Sequence, residues 1–136
     1  VVGSRALSDE AFLQALRSRT LPAASFRHGD HLRFAWILLH RYPFQVALLQ
    51  VRDGIKGFAA HLGADGLFHE TMTRAWVSLL ATHKEESFEE FFEQNQTRLS
   101  ARLLHRFWKP ETLASERARA SWVPPDRQLA PEIFRD

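Results

Sequence analysis

Four residues of this 136-residue chain combine side-chain type and spacing in a way suited to chemistry: His28, His31, His69 and Glu70. His28 and His31 stand three apart, so a helix would bring both imidazoles to one face, continuous with Leu32, Ala35, Leu38 and Leu39. His69 opens the string His69-Glu70-Thr71-Met72-Thr73 and, on a helix, shares a face with Met72, Thr73, Trp76 and Leu80. Three imidazoles and a carboxylate form a donor set for a divalent metal, Zn, Fe, Mn or Ni. Three histidines would resemble a catalytic zinc arrangement, and two with Glu70 a facial triad. Without a metal, His69 or His31 would be a general acid or base, Glu70 its orienting partner, and Thr71 and Thr73 hydrogen-bond donors to an anionic substrate.

Helices must bring these groups together. Ser8 suits the N-cap of a first helix running to about Arg19, with Phe12, Leu13 and Leu16 on its buried face and Pro22 beyond its end. A second helix is predicted from near Ser25 to Arg41, and a third from Pro43 to Leu62 with a stripe of Phe44, Leu48, Val51, Ile55, Phe58 and Leu62. Gly54 and Gly57 interrupt that third helix and mark either a close helix contact or a weak stretch. After a turn at Ala64-Asp65-Gly66, a fourth helix runs from Phe68 to near His83, and a fifth begins at Ser87 and breaks near Asn95. Leu99, Leu103, Leu104 and Phe107 continue in helical phase up to Pro110, and Glu111 to about Ser121 makes a last short helix. Pro124-Pro125-Asp126 and Pro131 predict an extended tail over residues 122–136, lying along the bundle through Trp122 and Val123. The expectation is all-α: a single compact bundle of five to seven helices over residues 1–136, with residues 1–7 outside it.

If short connections make successive helices antiparallel, His28, His31, His61, His69 and His105 fall at one end of the bundle, and His40 and His83 at the other. His61 and His105 at helix C-termini are explained by the helix dipole alone. Trp36, Trp76 and Phe26 are core residues or walls of an apolar pocket. Arg74 and Arg119 would pair with nearby glutamates or with a substrate anion.

Composition narrows the classes. With no Cys there is no disulfide framework, thiolate metal site or Cys nucleophile. A formal charge of +2 with arginines scattered from Arg5 to Arg135 argues against nucleic acid as a partner. The apolar run Ala35 to Leu39 is far short of the roughly 20 residues that cross a bilayer, and no signal-peptide pattern opens the chain. The expected location is cytoplasmic, with no membrane partner.

The strings Phe26-Arg27-His28-Gly29-Asp30-His31-Leu32, His69-Glu70-Thr71-Met72-Thr73-Arg74-Ala75-Trp76 and Leu113-Ala114-Ser115-Glu116-Arg117-Ala118-Arg119, followed by Pro125-Asp126, together resemble a group of small, uncharacterised helical bacterial proteins. The resemblance spans Phe26 to Asp126. It implies the same choice of His28, His31, His69 and Glu70 and supplies no reaction.

The expected function is a small-molecule enzyme with hydrolytic or lyase-type chemistry. Its pocket would lie between the helices starting near Ser25 and Phe68, with His28, His31, His69 and Glu70 as metal ligands, or with Glu70, His69 and Thr73 as catalytic groups. Two alternatives stay open: a metal-free acid/base enzyme for an anionic or aromatic substrate, and a non-catalytic binding protein for a small ligand. A homodimer with a seam over Phe88 to Phe92 is a further expectation.

Overall fold

Ser8 starts the first helix as predicted. Its hydroxyl accepts the Ala11 amide at 3.1 Å and opens α1, Asp9–Arg17, with Phe12, Leu13 and Leu16 buried. The computed structural model describes residues 7–64, 66, 68–83, 87–95, 97–127 and 130–134. Asp65 of the expected turn, residues 1–6, and residues 128, 129, 135 and 136 of the expected tail lie outside them. The fold is all-α, with seven α-helices joined by turns and short 3₁₀ segments among the described residues. None of these helices is long and apolar enough to cross a membrane. The chain divides into two compact units, Val1–Phe68 and His69–Asp136.

In the N-terminal unit a 3₁₀ turn at Ala23–Ser25 precedes α2, His28–Arg41. This helix begins three residues later than its apolar pattern suggests, because the Asp30 carboxylate turns back to accept the Arg27 amide at 2.9 Å and fixes Arg27 as the cap. Tyr42 is extended ahead of Pro43, as the residue before a proline must be, and α3, Phe44–His61, follows. Leu48, Val51 and Phe58 of the expected stripe are buried, whereas Leu62 is 45% exposed because it is the cap that leaves the helix. Gly63, at φ 71°, completes the turn.

Gly54 marks a close contact. A Cβ there would stand 2.6 Å from the buried ring of Phe34, so α2 and α3 meet where α3 has no side chain. Arg33, buried on α2, donates to the Leu7 carbonyl at 2.7 Å and to Asp9 at 3.0 Å, and its guanidinium lies 4.6 Å from the Phe12 ring centre. One charged side chain thereby ties the start of α1 to α2.

The C-terminal unit is organised around α4, Glu70–Leu80, and includes α5, Phe88–Asn95. Ala75, Leu104, Trp108, Leu113, Ala130 and Phe134 form its core, with Met72, Trp76 and Trp122 packed against them. The helical continuation expected from Leu99 to Phe107 is instead a turn followed by a 3₁₀ segment, Leu103–Arg106. Pro110 offers no amide to the Arg106 carbonyl, and the Phe107 carbonyl accepts from Arg127 at 3.1 Å. The single last helix is two, α6, Pro110–Leu113, and α7, Glu116–Ala120. Ser115 divides them, donating to the Thr112 carbonyl at 2.6 Å and accepting the Ala118 amide at 3.2 Å. Phe88 and Phe91 are buried within this unit and Phe92 is half-buried.

Residues 122–126 of the expected tail are extended and held along this unit, whereas Glu132–Phe134, which the proline pattern places in the same extended stretch, form a 3₁₀ turn with Phe134 buried. Val123 accepts from the Trp108 indole at 2.9 Å, and its amide donates to the Thr71 hydroxyl at 3.1 Å. That hydroxyl has the carbonyls of Ala118 and Ser121 in reach at 2.7 and 2.9 Å. Asp126 accepts the Lys109 amide at 2.9 Å and the Thr112 hydroxyl, capping α6 from outside the helix. Slight desolvation pushes the Asp126 carboxyl up, but the Thr112 and Lys109 hydrogen bonds with the Lys109 charge outweigh it and hold it below its ordinary value.

Thr71→Val keeps the shape of the side chain and leaves the Val123 amide without its acceptor. Urea unfolding of this variant is expected to show a loss of about 1–3 kcal/mol, the cost of a buried polar group left unmet.

Candidate functional site

His28 is the first residue of α2 and His31 lies one turn further on, both half-buried. The His31 ring stacks on Phe26, with centroids 4.1 Å apart and planes 25° apart. Burial pushes the His31 imidazole down to about 4. The neighbouring His28 adds to this, and Asp30 and a hydrogen bond to the Phe26 backbone oppose it. His31 is therefore neutral at pH 7. Phe26 in turn meets Phe58 of α3 edge-on, with centroids 5.1 Å apart, so His31, Phe26 and Phe58 form one aromatic train inside the N-terminal unit.

His69 caps α4 rather than forming part of its first turn. Its Nδ1 accepts the Met72 amide at 3.1 Å, which requires a lone pair there and assigns the proton to Nε2. Nε2 then donates to the Leu113 carbonyl at 2.6 Å. Burial lowers the pKa of this ring, the Leu113 hydrogen bond opposes that, and the Arg119 charge adds to it. Both nitrogens are thus engaged in holding the C-terminal unit together, and metal ligation or proton transfer by His69 would break one of these bonds. Glu70 and Thr73 are half-buried in the first turn of α4, whereas Thr71 is the fully buried threonine that binds the tail. His28 and His31 belong to the N-terminal unit, and His69, Glu70 and Thr73 to the C-terminal unit. Among the described residues no three His, Asp or Glu side chains are grouped to hold a metal ion.

The N-terminal unit contains a pocket that the histidine pattern does not indicate. Its volume is about 300 Å³, and it is lined by Leu16, Arg17 and Arg19 from the end of α1, by Phe34 of α2, and by Gln50, Asp53, Gly54, Gly57 and Phe58 of α3. Phe58 is shared with the aromatic train that ends at His31.

Arg19 is its most unusual member, with φ 63°, the left-handed region. The chain leaves α1 through a Schellman turn, with the Arg19 amide on the Leu16 carbonyl at 3.2 Å and the Thr20 amide on Ala15 at 2.9 Å. Glycine is the usual residue at this position, and a side-chain-bearing residue there costs about 1–2 kcal/mol. The Arg19 guanidinium extends over α3 and would stand 3.1 Å from a Cβ at Gly57. Arg17 donates to the Gln50 amide oxygen at 3.4 Å. Two traces of this pocket exist in the sequence: the paired glycines of α3, and the lack of glycine where α1 must end.

The pH dependence of stability follows from the histidines. The unfolded His31 takes up a proton below about pH 6.5 and the folded one only near 4, so its stabilising contribution is present above 6.5 and is lost as pH falls across that interval. His69 shifts in the same direction. Urea midpoints are expected to fall between pH 7 and pH 5, and His31→Gln to flatten that slope, His31 accounting for at most about 2 kcal/mol over that range. Comparison with family models, with curated proteins and with solved structures gives no match to this chain.

Proposed function

We propose that this protein binds a small organic carboxylate in the pocket between α1 and α3. The observation that carries this reading is the left-handed backbone at Arg19. Strain at a residue that glycine would relieve is kept where the side chain has work to do, and here it sets a guanidinium at the rim of a pocket. Arg17 adds a second cation, and a guanidinium pairs with a carboxylate through two parallel hydrogen bonds. The apolar part of the wall, Leu16, Phe34 and Phe58, would receive the body of the ligand over the bare backbone of Gly54 and Gly57. A volume near 300 Å³ is at the small end of ligand pockets, which suits a single-ring or short aliphatic molecule.

A thermal-shift panel tests this, comparing aromatic and aliphatic carboxylates, with and without an α-amino group, against uncharged amides of the same shape. Carboxylates are expected to raise the melting temperature and uncharged amides are not. Arg19→Gly is expected to abolish the response while raising the ligand-free unfolding free energy by up to about 1 kcal/mol, because the strain is gone. A panel in which no carboxylate stabilises the protein overturns the reading.

A second reading, a catalyst built on His28 and His31, is favoured by the half-buried placement of both rings within one turn of α2. In it the two imidazoles, with a further donor, ligate a divalent metal or move a proton for hydrolytic or lyase chemistry. Added Co(II) would then bind stoichiometrically with a visible absorption band that His28→Ala removes. Absence of the band in the unaltered protein overturns the metal form of this reading.

A further inference from the structure

The pocket also carries a carboxylate of its own. Asp53 of α3 lines it together with Arg17 and Arg19, and among the described residues Asp53 is bonded to neither guanidinium. Arg33 pairs instead with Asp9, and Arg41 with Glu10. Gln50 accepts from Arg17 through its amide oxygen, which leaves its NH₂ group as a further donor. The wall thus presents separated charges of both signs beside an apolar surface.

From this charge arrangement we infer that the ligand is an α-amino acid with an apolar side chain, a specification that rests on the carboxylate-binding reading above. Its carboxylate would pair with Arg19, its ammonium with Asp53, and its side chain would lie against Phe34, Phe58 and Leu16. Each simpler ligand leaves something unmet. A plain carboxylic acid satisfies the guanidinium and leaves Asp53 facing a second negative group, whereas an amine satisfies Asp53 and faces two cations. A phosphate, with its larger negative charge, is disfavoured by the same Asp53. A zwitterion complements both signs and keeps the loaded pocket at the net charge of the empty one. Asp53 is exposed, so its replacement leaves the packing of α3 intact.

Isothermal titration with four probes decides the matter: L-phenylalanine, L-leucine, 3-phenylpropionate and L-phenylalaninamide, each against the unaltered protein and Asp53→Asn. At least one of the two amino acids is expected to bind about tenfold or more tightly than either singly charged analogue. Asp53→Asn is expected to erase that advantage over 3-phenylpropionate by weakening the amino acid, without weakening 3-phenylpropionate. If 3-phenylpropionate matches or exceeds both amino acids in the unaltered protein, the inference falls and the carboxylate pocket stands. If an amino acid advantage persists undiminished in Asp53→Asn, the role given to Asp53 falls with it. If none of the four binds, both the inference and the reading beneath it are overturned.

Discussion

Helix α3 can come close to its neighbours in the N-terminal unit only because two of its positions have no side chain. At Gly54 the Phe34 ring occupies the space a Cβ would need, and at Gly57 the Arg19 guanidinium does nearly the same. Each glycine costs helix stability of about 1 kcal/mol relative to alanine, so their presence one turn apart in an 18-residue helix is offset elsewhere. At Gly54 the offset is the burial of Phe34. At Gly57 it is the space for a charged side chain whose own backbone is strained. The pocket exists where these two unfavourable local choices meet, and neither makes sense without the other.

The polar residues of the C-terminal unit tell a different story. His69, Thr71, Ser115 and Asp126 all direct their side chains to backbone amides or carbonyls at helix ends and along the tail. Helices of four and five residues such as α6 and α7 cannot hold themselves in water, and their orphan amides need acceptors from elsewhere. A string such as His69-Glu70-Thr71 attracts a catalytic reading because imidazole, carboxylate and hydroxyl are the groups of catalysis. They are equally the groups of capping, and in this unit His69 and Thr71 cap and fasten.

What could be read from the chain beforehand divides along the same line. Ser8, Pro43, Gly63 and Ser87 signal helix ends by local rules, and α1, α3 and α5 stand close to where those rules put them. The placement of His28, His31 and His69 at helix starts was equally legible, since it depends on spacing alone. The roles of these residues were not. That His69 uses both nitrogens depends on Leu113, 44 residues away, and the break at Ser115 depends on its bond to Thr112. The pocket was hidden for a further reason: its charged residues, Arg17, Arg19 and Asp53, match no motif, and the feature that singles out Arg19 is a backbone angle.

The Thr71 hydroxyl, which reaches α7, Ser121 and Val123 from α4, has a consequence for how the C-terminal unit opens. An extended stretch outside regular structure ordinarily opens easily, exchanging its amide hydrogens with water independently of the helices beside it. At Val123 the amide is instead fastened to the central helix, so the stretch cannot peel away while α4 keeps its grip. Local opening there is coupled to opening of the core, which gives an irregular segment the slow exchange usually reserved for the middle of a helix.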